Sequence, residues 1–280
     1  MDKKVKLIAH RGWRAKYPEN TMRGFREAMN LDIDGVELDV HMTKDHHIVI
    51  CHDQTLDRTT DKNGSICDMT LPEIREADAG IKFGEEFKGE KIPTLEEFLD
   101  VFADRTDLRL LLELKDYPEE IGDVAYASAS LALSICKKYG VYGKDRLSVI
   151  TFSTGMCGWL HARYTREDFS IHGFYPKAIM KGDATDNPYK YYDEVCIFNR
   201  GDKDSRGFPI KNESLVAEKE RFTEFNLMGI IPCVCYGART EEELYIKSFE
   251  NGARVYTSDI PDKCGEILDK IGARKLSEKI

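Results

Sequence analysis

The sequence predicts an α/β protein in which parallel strands close into an eight-stranded (β/α)8 barrel of the TIM type. Short β-branched or leucine-rich runs alternate with amphipathic segments that carry helix start signals, which is typical of a parallel sheet covered by helices. The chain has 280 residues, enough to bury the core of one such barrel. A doubly wound open sheet is the competing architecture, but no Gly-x-Gly-x-x-Gly motif follows the first strand, which counts against a dinucleotide-binding fold.

Nine segments are predicted as strands, one more than the barrel has places, so one of them should be an extra strand or no strand at all. The predicted strands span residues 5–9, 35–40, 48–52, 109–115, 147–152, 169–174, 194–198, 231–236 and 254–257. In a barrel built this way, the chemistry is expected at the carboxyl ends of the strands.

Helix starts are predicted at three Thr-x-x-Glu capping boxes, in which the hydroxyl and the carboxylate bind the first free amides of the helix. The boxes are Thr70 with Glu73, Thr94 with Glu97, and Thr240 with Glu243. Gly140 and Gly252 follow apolar-periodic segments and are expected as left-handed helix ends.

The whole chain, 1–280, is predicted to form a single domain. Residues 54–108 make a long connection after the third predicted strand, rich in Asp, Glu and Lys and with helices of its own. We expect this segment to form a small cap-like insertion over the mouth of the barrel.

The composition excludes several classes of function. The net charge is −9, with 32% charged and 41% hydrophobic residues, and acidic and basic residues are interspersed. No basic stripe offers phosphate neutralisation, so a nucleic-acid partner is not expected. No apolar run reaches the length of a membrane span or of a signal peptide, and a cytoplasmic protein without membrane insertion is therefore predicted.

Eight cysteines raise the question of disulfides or zinc. None forms Cys-x-x-Cys, and the closest pair, Cys233 and Cys235, lies inside an apolar strand. Structural zinc sites show tighter ligand spacing, so free buried thiols are expected.

Two predicted strands carry ionisable residues at positions i and i+2. Glu37 and Asp39 lie in "GVELDV", and Glu113 and Lys115 lie in "LRLLLELKD". Side chains two apart on a strand point to the same face, and neighbouring buried carboxylates are costly unless a cation neutralises them. Either pair alone could face solvent. Acids inside the apolar strands of a closed barrel favour a functional site instead.

Two histidines are expected at the same edge. His10 ends the first predicted strand and is followed by Arg11, and His52 with Asp53 ends the third. Either histidine could be structural. Three carboxylates without zinc-like spacing favour a hard cation, Mg²⁺ or Ca²⁺, with Mn²⁺ as an alternative. Such a metal, two histidines and the two cations Arg11 and Lys115 suit the chemistry of a phosphodiester.

Several motifs together resemble the glycerophosphodiester phosphodiesterase family. They are "HRGWRAKYPENT", "GVELDVHMTKDHHIVICHDQTLDRTTDKNG", "IPTLEEFL", "LLLELK" and "VYTSDIPD". The resemblance covers residues 7–115 almost continuously and resumes at 229–262. It implies a TIM barrel with a small insertion and the metal-dependent hydrolysis of glycerophosphodiesters to glycerol 3-phosphate and an alcohol.

The resemblance also implies roles for individual residues. His10 and His52 match the acid–base pair, and we expect His52 to protonate the leaving group. Metal ligands and phosphate contacts match two further sets: Glu37, Asp39 and Glu113 for the metal, and Arg11 and Lys115 for the phosphate. The segment "PENT", which contains Glu19 and Asn20, is expected to shape the first loop and cap its helix.

The chain departs from the family pattern near the seventh barrel strand. The family usually has Trp-Thr-Val-Asn where this chain has Tyr236-Gly237-Ala238-Arg239. Tyr236 is therefore predicted as the aromatic residue that contacts the glycerol of the substrate. Residues 155–228 match the family only loosely.

Two other functions compete with this interpretation. A phosphodiesterase with the same barrel could act on lysophospholipid or phosphoinositide head groups, although the chain lacks an amphipathic docking helix or basic patch. A non-catalytic phosphate-binding module is the alternative from another class. A binder has no need of an acid–base pair, so a small-molecule glycerophosphodiester is the expected substrate.

Overall fold

Eight strands pair in parallel around a closed ring, in the order β1-β9-β8-β7-β6-β5-β4-β2, and the pairing of β1 with β2 closes it. This computed structural model describes residues 5–183, 187–198 and 216–274. The strands are β1 (Lys6–His10), β2 (Gly35–Met42), β3 (Ile48–Ile50), β4 (Arg109–Leu114), β5 (Leu147–Ile150), β6 (Ser170–Tyr175), β7 (Glu194–Ile197), β8 (Ile231–Gly237) and β9 (Val255–Ser258). The predicted TIM barrel is confirmed.

The ninth strand, β3, is the extra one. It pairs antiparallel with the end of β2, with Val40 opposite Ile50, and lies outside the ring. Because β3 ends at Ile50, His52 lies in the loop that follows it rather than at the end of a barrel strand. The prediction that His52 ends the third strand is therefore wrong.

Helices cover the outside of the barrel. They are α1 (Met22–Met29), α2 (Leu71–Arg75), α3 (Leu95–Phe102), α4 (Pro118–Ile121), α5 (Val124–Lys138), α6 (Thr154–Arg163), α7 (Lys219–Leu227), α8 (Glu242–Asn251) and α9 (Pro261–Lys270). The capping boxes at Thr70 and Thr94 are present. Gly140 and Gly252 adopt positive φ just after α5 and at the end of α8, as predicted.

The predicted capping box at Thr240 is wrong. α8 begins at Glu242, with Glu241 as its N-cap residue. The Glu241 carboxylate accepts the Thr240 backbone N–H at 3.0 Å and pairs with Arg239 at 2.9 Å. These contacts move the helix start one residue beyond the position that the Thr-x-x-Glu pattern indicates.

Strand alternation separates two apolar layers. Ile8, Leu111, Ile150, Phe174, Cys196, Cys233 and Val255 fill the inside of the barrel. Leu110, Leu112 and Leu114 of β4 instead pack outward against the helices. Glu113, in phase with Leu111, consequently points into the barrel at its carboxyl-terminal end.

A second, smaller apolar cluster lies beside the barrel. It consists of Val49, Cys51, Leu56, Ile66, Ile74, Ala77, Ala79 and Ile92. Helix α3 does not belong to it, since Leu95, Phe98, Leu99 and Phe102 pack in the main core. That residues 54–108 act as a cap over the mouth stays a prediction.

The eight cysteines are free thiols, as predicted, and six of them are buried. Among the described residues, no helix combines the length and the apolar character needed to cross a bilayer.

Candidate active site

Three carboxylates meet at the carboxyl ends of β2 and β4. Strand register places Asp39 beside Glu113, and Glu37 lies two residues before Asp39 on the same face. One oxygen from each of the three lies within 4.8 Å of the others. All three side chains are almost completely buried, with exposed fractions of 2% for Glu37, 0% for Asp39 and 6% for Glu113.

Two buried cations neutralise part of this charge. Lys115 Nζ lies 2.7 Å from Glu113 Oε1 and 3.2 Å from Asp39 Oδ1. Arg11 Nε lies 3.2 Å from Asp39 Oδ2. Burial alone would lower the pKa of Lys115, but its pairs with Glu113 and Asp39 raise it. Burial likewise would raise the pKa of Asp39, but Lys115 and Arg11 hold it well below its usual value.

The charge of Glu37 is less well neutralised than the charges of Asp39 and Glu113. Burial, followed by the adjacent carboxylates of Asp39 and Glu113, raises its pKa well above the usual value. Glu37 Oε2 accepts the Arg11 backbone N–H at 3.0 Å, whereas Glu37 Oε1 is buried and accepts no hydrogen bond. A buried carboxylate oxygen without a partner is costly. An added cation would remove this cost, so the oxygen donors present fit a hard divalent metal.

The chain turns sharply where β1 ends. Arg11 has φ +54° and Gly12 has φ +81°, both in the left-handed region. A Cβ at Gly12 would lie 2.8 Å from the Gly24 backbone, so only glycine fits there without a shift. The turn lets Arg11 donate through its backbone to Glu37 while its side chain pairs with Asp39 and Glu19.

His10 faces the carboxylates and is held from behind. Its Nε2 lies 3.8 Å from Glu37 Oε2, and its Nδ1 forms a 2.6 Å hydrogen bond with Oδ1 of Asp259, the residue just after β9. Burial would raise the pKa of Asp259, but the hydrogen bond from His10 lowers it. The ionised Asp259 keeps the proton of His10 on Nδ1 and leaves Nε2 toward the site.

His52 is held in a similar way, although it lies on a loop. Its Nδ1 is 2.5 Å from Asp53 Oδ1. Its backbone carbonyl lies 3.4 Å from Nε2 of the buried His41, whose Nδ1 is bound to Asp116 Oδ1 at 2.7 Å. Burial lowers the pKa of His52 and so favours its neutral ring.

The structure does not bring Tyr236 to the site. Its ring packs against Tyr245 of α8, with centroids 5.5 Å apart, on the outer side of the barrel. In β8, Cys233 and Cys235 point inward, so Tyr236 is out of phase with the interior. The prediction that Tyr236 contacts the glycerol is at odds with this placement. The period-two alternation of β8 is the sequence signal that could have corrected it.

A different aromatic ring lies beside the site. Lys115 Nζ is 5.8 Å from the centroid of Phe152, which stacks on Phe174 inside the barrel. Phe152 therefore offers an apolar surface next to Lys115.

The PENT segment contributes more than loop shape. Asn20 Nδ2 donates to Asp39 Oδ2 at 2.8 Å, and Glu19 Oε1 accepts from Arg11. The helix cap is provided by Thr21, whose side chain accepts the Gly24 N–H. Sequence reasoning missed Asp259, although "VYTSDIPD" places an acid immediately after the last barrel strand.

A second group of metal-compatible side chains lies inside the barrel at its amino-terminal end. It comprises His172, Glu194 and Cys233. The charge of Glu194 is already neutralised by a buried ion pair with Arg109, and its carboxylate accepts a hydrogen bond from Ser148 Oγ at 2.8 Å. This arrangement is that of a structural ion pair.

Comparison with known proteins agrees with this geometry. The model of the glycerophosphoryl diester phosphodiesterase family matches residues 10–247. A glycerophosphodiester phosphodiesterase of Caldanaerobacter subterraneus subsp. tengcongensis is 38% identical over 189 residues, which are 61% of this chain and 76% of that protein.

Solved structures show the same fold. An Oleispira antarctica phosphodiesterase, in complex with the product sn-glycerol-3-phosphate, has a TM-score of 0.73 at 24% identity and covers 94% of this chain and 96% of its own. A Thermotoga maritima glycerophosphodiester phosphodiesterase has a TM-score of 0.66 at 22% identity, covering 95% and 100%. With its barrel and the match over residues 10–247, the chain belongs to the glycerophosphoryl diester phosphodiesterase family, which are phosphoric diester hydrolases.

Proposed function

We propose that this protein hydrolyses glycerophosphodiesters to sn-glycerol 3-phosphate and an alcohol, with a bound divalent cation and two histidines that transfer protons. The observation that carries the proposal is the pairing of a three-carboxylate cluster with two cations at the barrel mouth, next to two histidines that each bind an aspartate. Membership of the family and the product bound to the Oleispira antarctica relative support it.

Glu37, Asp39 and Glu113 would hold the cation. Mg²⁺ or Ca²⁺, with Mn²⁺ as an alternative, would supply Lewis-acid stabilisation of the phosphoryl oxygens. Arg11 and Lys115 would bind the remaining phosphate charge, which their positions beside Asp39 allow.

The two histidines would divide the proton transfers. One accepts a proton from the water consumed in hydrolysis as the water oxygen bonds to phosphorus. The other donates a proton to the oxygen of the leaving alcohol as the bond between that oxygen and phosphorus breaks. Asp259 and Asp53 keep a proton on each Nδ1, so that each Nε2 is the atom that exchanges protons with the substrate.

A screen of diesters tests the proposal. Glycerophosphocholine, glycerophosphoethanolamine, glycerophosphoinositol and glycerophosphoglycerol would be supplied in turn with Mg²⁺ or Ca²⁺, and glycerol 3-phosphate release would be measured. Release from at least one diester is expected. Activity confined to lysophospholipids in detergent would favour the lipid head-group alternative, and binding of diesters without turnover would favour a phosphate-binding module. We also propose a cytoplasmic location and no nucleic-acid partner.

A further inference from the structure

Glu19 lies at the centre of a group of three guanidinium groups. Its Oε1 accepts a hydrogen bond from Arg11 Nη1 at 3.0 Å and another from Arg58 Nη2 at 2.7 Å. Its Oε2 accepts Nη1 of Arg58 at 3.1 Å and lies 3.2 Å from Nε of Arg14. The Glu19 side chain is 11% exposed, whereas those of Arg14 and Arg58 are 31% and 45% exposed.

Arg58 connects Glu19 to His52 through Asp53. Arg58 binds Glu19 through both terminal nitrogens and binds Asp53 through Nε at 2.6 Å and Nη2 at 3.1 Å. Asp53 in turn holds His52 Nδ1 at 2.5 Å. Bidentate pairs of this kind fix the planes of both partners, so the His52 ring is oriented through Arg58.

Arg14 connects Glu19 to His10 through Asp259. Arg14 lies 3.2 Å from Glu19 and forms an ion pair of 3.6 Å between Nη1 and Oδ1 of Asp259. The same Asp259 oxygen holds His10 Nδ1 at 2.6 Å. The two histidines lie on different elements, one on β1 and one on the loop after β3, yet both chains of contacts end on Glu19.

We propose that Glu19 is a positioning residue that sets the orientation of both histidines at once, through an Arg58–Asp53 arm to His52 and an Arg14–Asp259 arm to His10. This inference rests on the proposed acid–base role of the histidines. Glu19 touches neither histidine, and its effect passes through the two arginine–aspartate pairs.

The charge of Glu19 is essential to this arrangement. Burial alone would raise its pKa, but the Arg58 hydrogen bond and the charges of Arg11 and Arg14 lower it to about 2. Glu19 is therefore ionised at neutral pH. A neutral side chain of the same shape would leave three guanidinium groups competing for Asp53, Asp259 and Asp39, which would pull the aspartates away from the histidines.

Glu19→Gln, Glu19→Asp and a matched control test the proposal by initial rates on the diester that the wild-type protein hydrolyses best. Glu19→Gln should lower kcat on the order of 10- to 100-fold, as expected when the partners that orient a reacting group are disturbed, with KM changed less than about threefold. Glu19→Asp keeps the charge and should recover part of kcat. The control Glu27→Gln breaks the exposed Arg23–Glu27 pair on α1 and should leave both constants unchanged.

Double substitutions distinguish two coupled arms from a general loss of loop order. Because Glu19 acts on His52 through Arg58, Glu19→Gln combined with Arg58→Gln should cost less than the product of the single effects, whereas Arg14→Gln and Arg58→Gln should multiply. The proposal would be overturned if Glu19→Gln lost stability as well as kcat and if Glu19→Asp recovered no part of kcat.

Crystal structures of the wild-type and Glu19→Gln proteins test the inference without an activity measurement. We expect Arg58 to draw Asp53 away from His52 Nδ1 and the His52 ring to turn in the variant. Unchanged contacts of both histidines with their aspartates would refute the positioning role. Absence of turnover in the wild-type protein would count against the proposed function alone, and the two structures would still decide the role of Glu19.

Discussion

His10 and Asp259, which lie 249 positions apart in the chain, are joined by a hydrogen bond of 2.6 Å between Nδ1 and Oδ1. The closure of the barrel makes the contact, since β1 pairs directly with β9. Asp259 directs Nε2 of His10 toward Glu37 and makes the last barrel strand part of the site.

Asp259→Asn should therefore lower kcat with little change in KM. The amide keeps the shape but loses the charge that holds the proton on Nδ1, and a loss on the order of 10- to 100-fold is expected. Initial rates of glycerol 3-phosphate release measure it. Asp262→Asn, three residues further on, removes only a pair with the half-exposed Lys16 and should keep full activity. Equal activity of the two variants would show that Asp259 does not orient His10.

Removal of divalent cations should abolish turnover, and Mg²⁺ or Ca²⁺ should restore it. Glu113→Gln removes one charge from the carboxylate cluster and loosens Lys115, so metal affinity should fall while the fold is retained. Calorimetric metal titration and activity against metal concentration are the measurements. Glu85→Gln, which removes the exposed pair with Lys88, is the control. Undiminished turnover in excess chelator would exclude a metal-dependent mechanism.

His10→Ala and His52→Ala should respond differently to the leaving group. Each should cost on the order of 10²–10⁴-fold on a natural diester. The nitrophenyl group of a nitrophenyl diester leaves as a stable phenolate that needs little protonation. This substrate should therefore restore the activity of only the variant that lacks the acid.

The surroundings of His52 give a reason to predict the opposite assignment. Burial lowers the pKa of His52, which favours its neutral ring as the proton acceptor, so His10→Ala should be the rescued variant, opposite to the sequence-based expectation. Rates of both variants on both substrates decide this. Equal rescue of both, or of neither, would contradict a division of labour.

Tyr236→Ala should destabilise the fold rather than weaken substrate binding. The ring packs between β8 and α8 beside Tyr245, so its removal leaves a cavity and should lower the free energy of unfolding by about 3 kcal/mol. Tyr236→Phe keeps the packing and serves as the control. Denaturant unfolding and KM would be compared, and a raised KM at unchanged stability would restore the glycerol-contact interpretation.

Glu194→Gln should lower stability at neutral pH without changing kcat, because Glu194 and Arg109 lie at the end of the barrel opposite to the site. Loss of one charge from a buried pair costs about 3–5 kcal/mol. Burial would raise the pKa of Glu194, but Arg109 holds it well below its usual value.

The same pair predicts a pH dependence. A depressed carboxyl pKa stabilises the fold above the unfolded pKa, and this stabilisation is lost as pH falls below it. Wild-type unfolding free energy should thus decline more steeply below about pH 4.5 than that of Glu194→Gln. Parallel pH profiles of the two proteins would argue against the pair.

Local patterns in the sequence determined the barrel and the face on which Glu37, Asp39, Glu113 and Lys115 lie. Period-two alternation and strand–helix alternation are properties of short segments, so they can be read without knowing the fold. The same holds for the capping boxes at Thr70 and Thr94, whose contacts span three residues.

Only the tertiary structure decided how the site is completed. The antiparallel pairing of β3 put His52 on a loop, the closure of the barrel brought Asp259 to His10, and Arg58 joined two loops through Glu19. Each is a contact between residues distant in sequence, whose geometry depends on the packing of the whole barrel. Local propensity carries no information about such contacts, and for that reason the carboxylate cluster could be predicted from the sequence while the contacts that hold the two histidines could not.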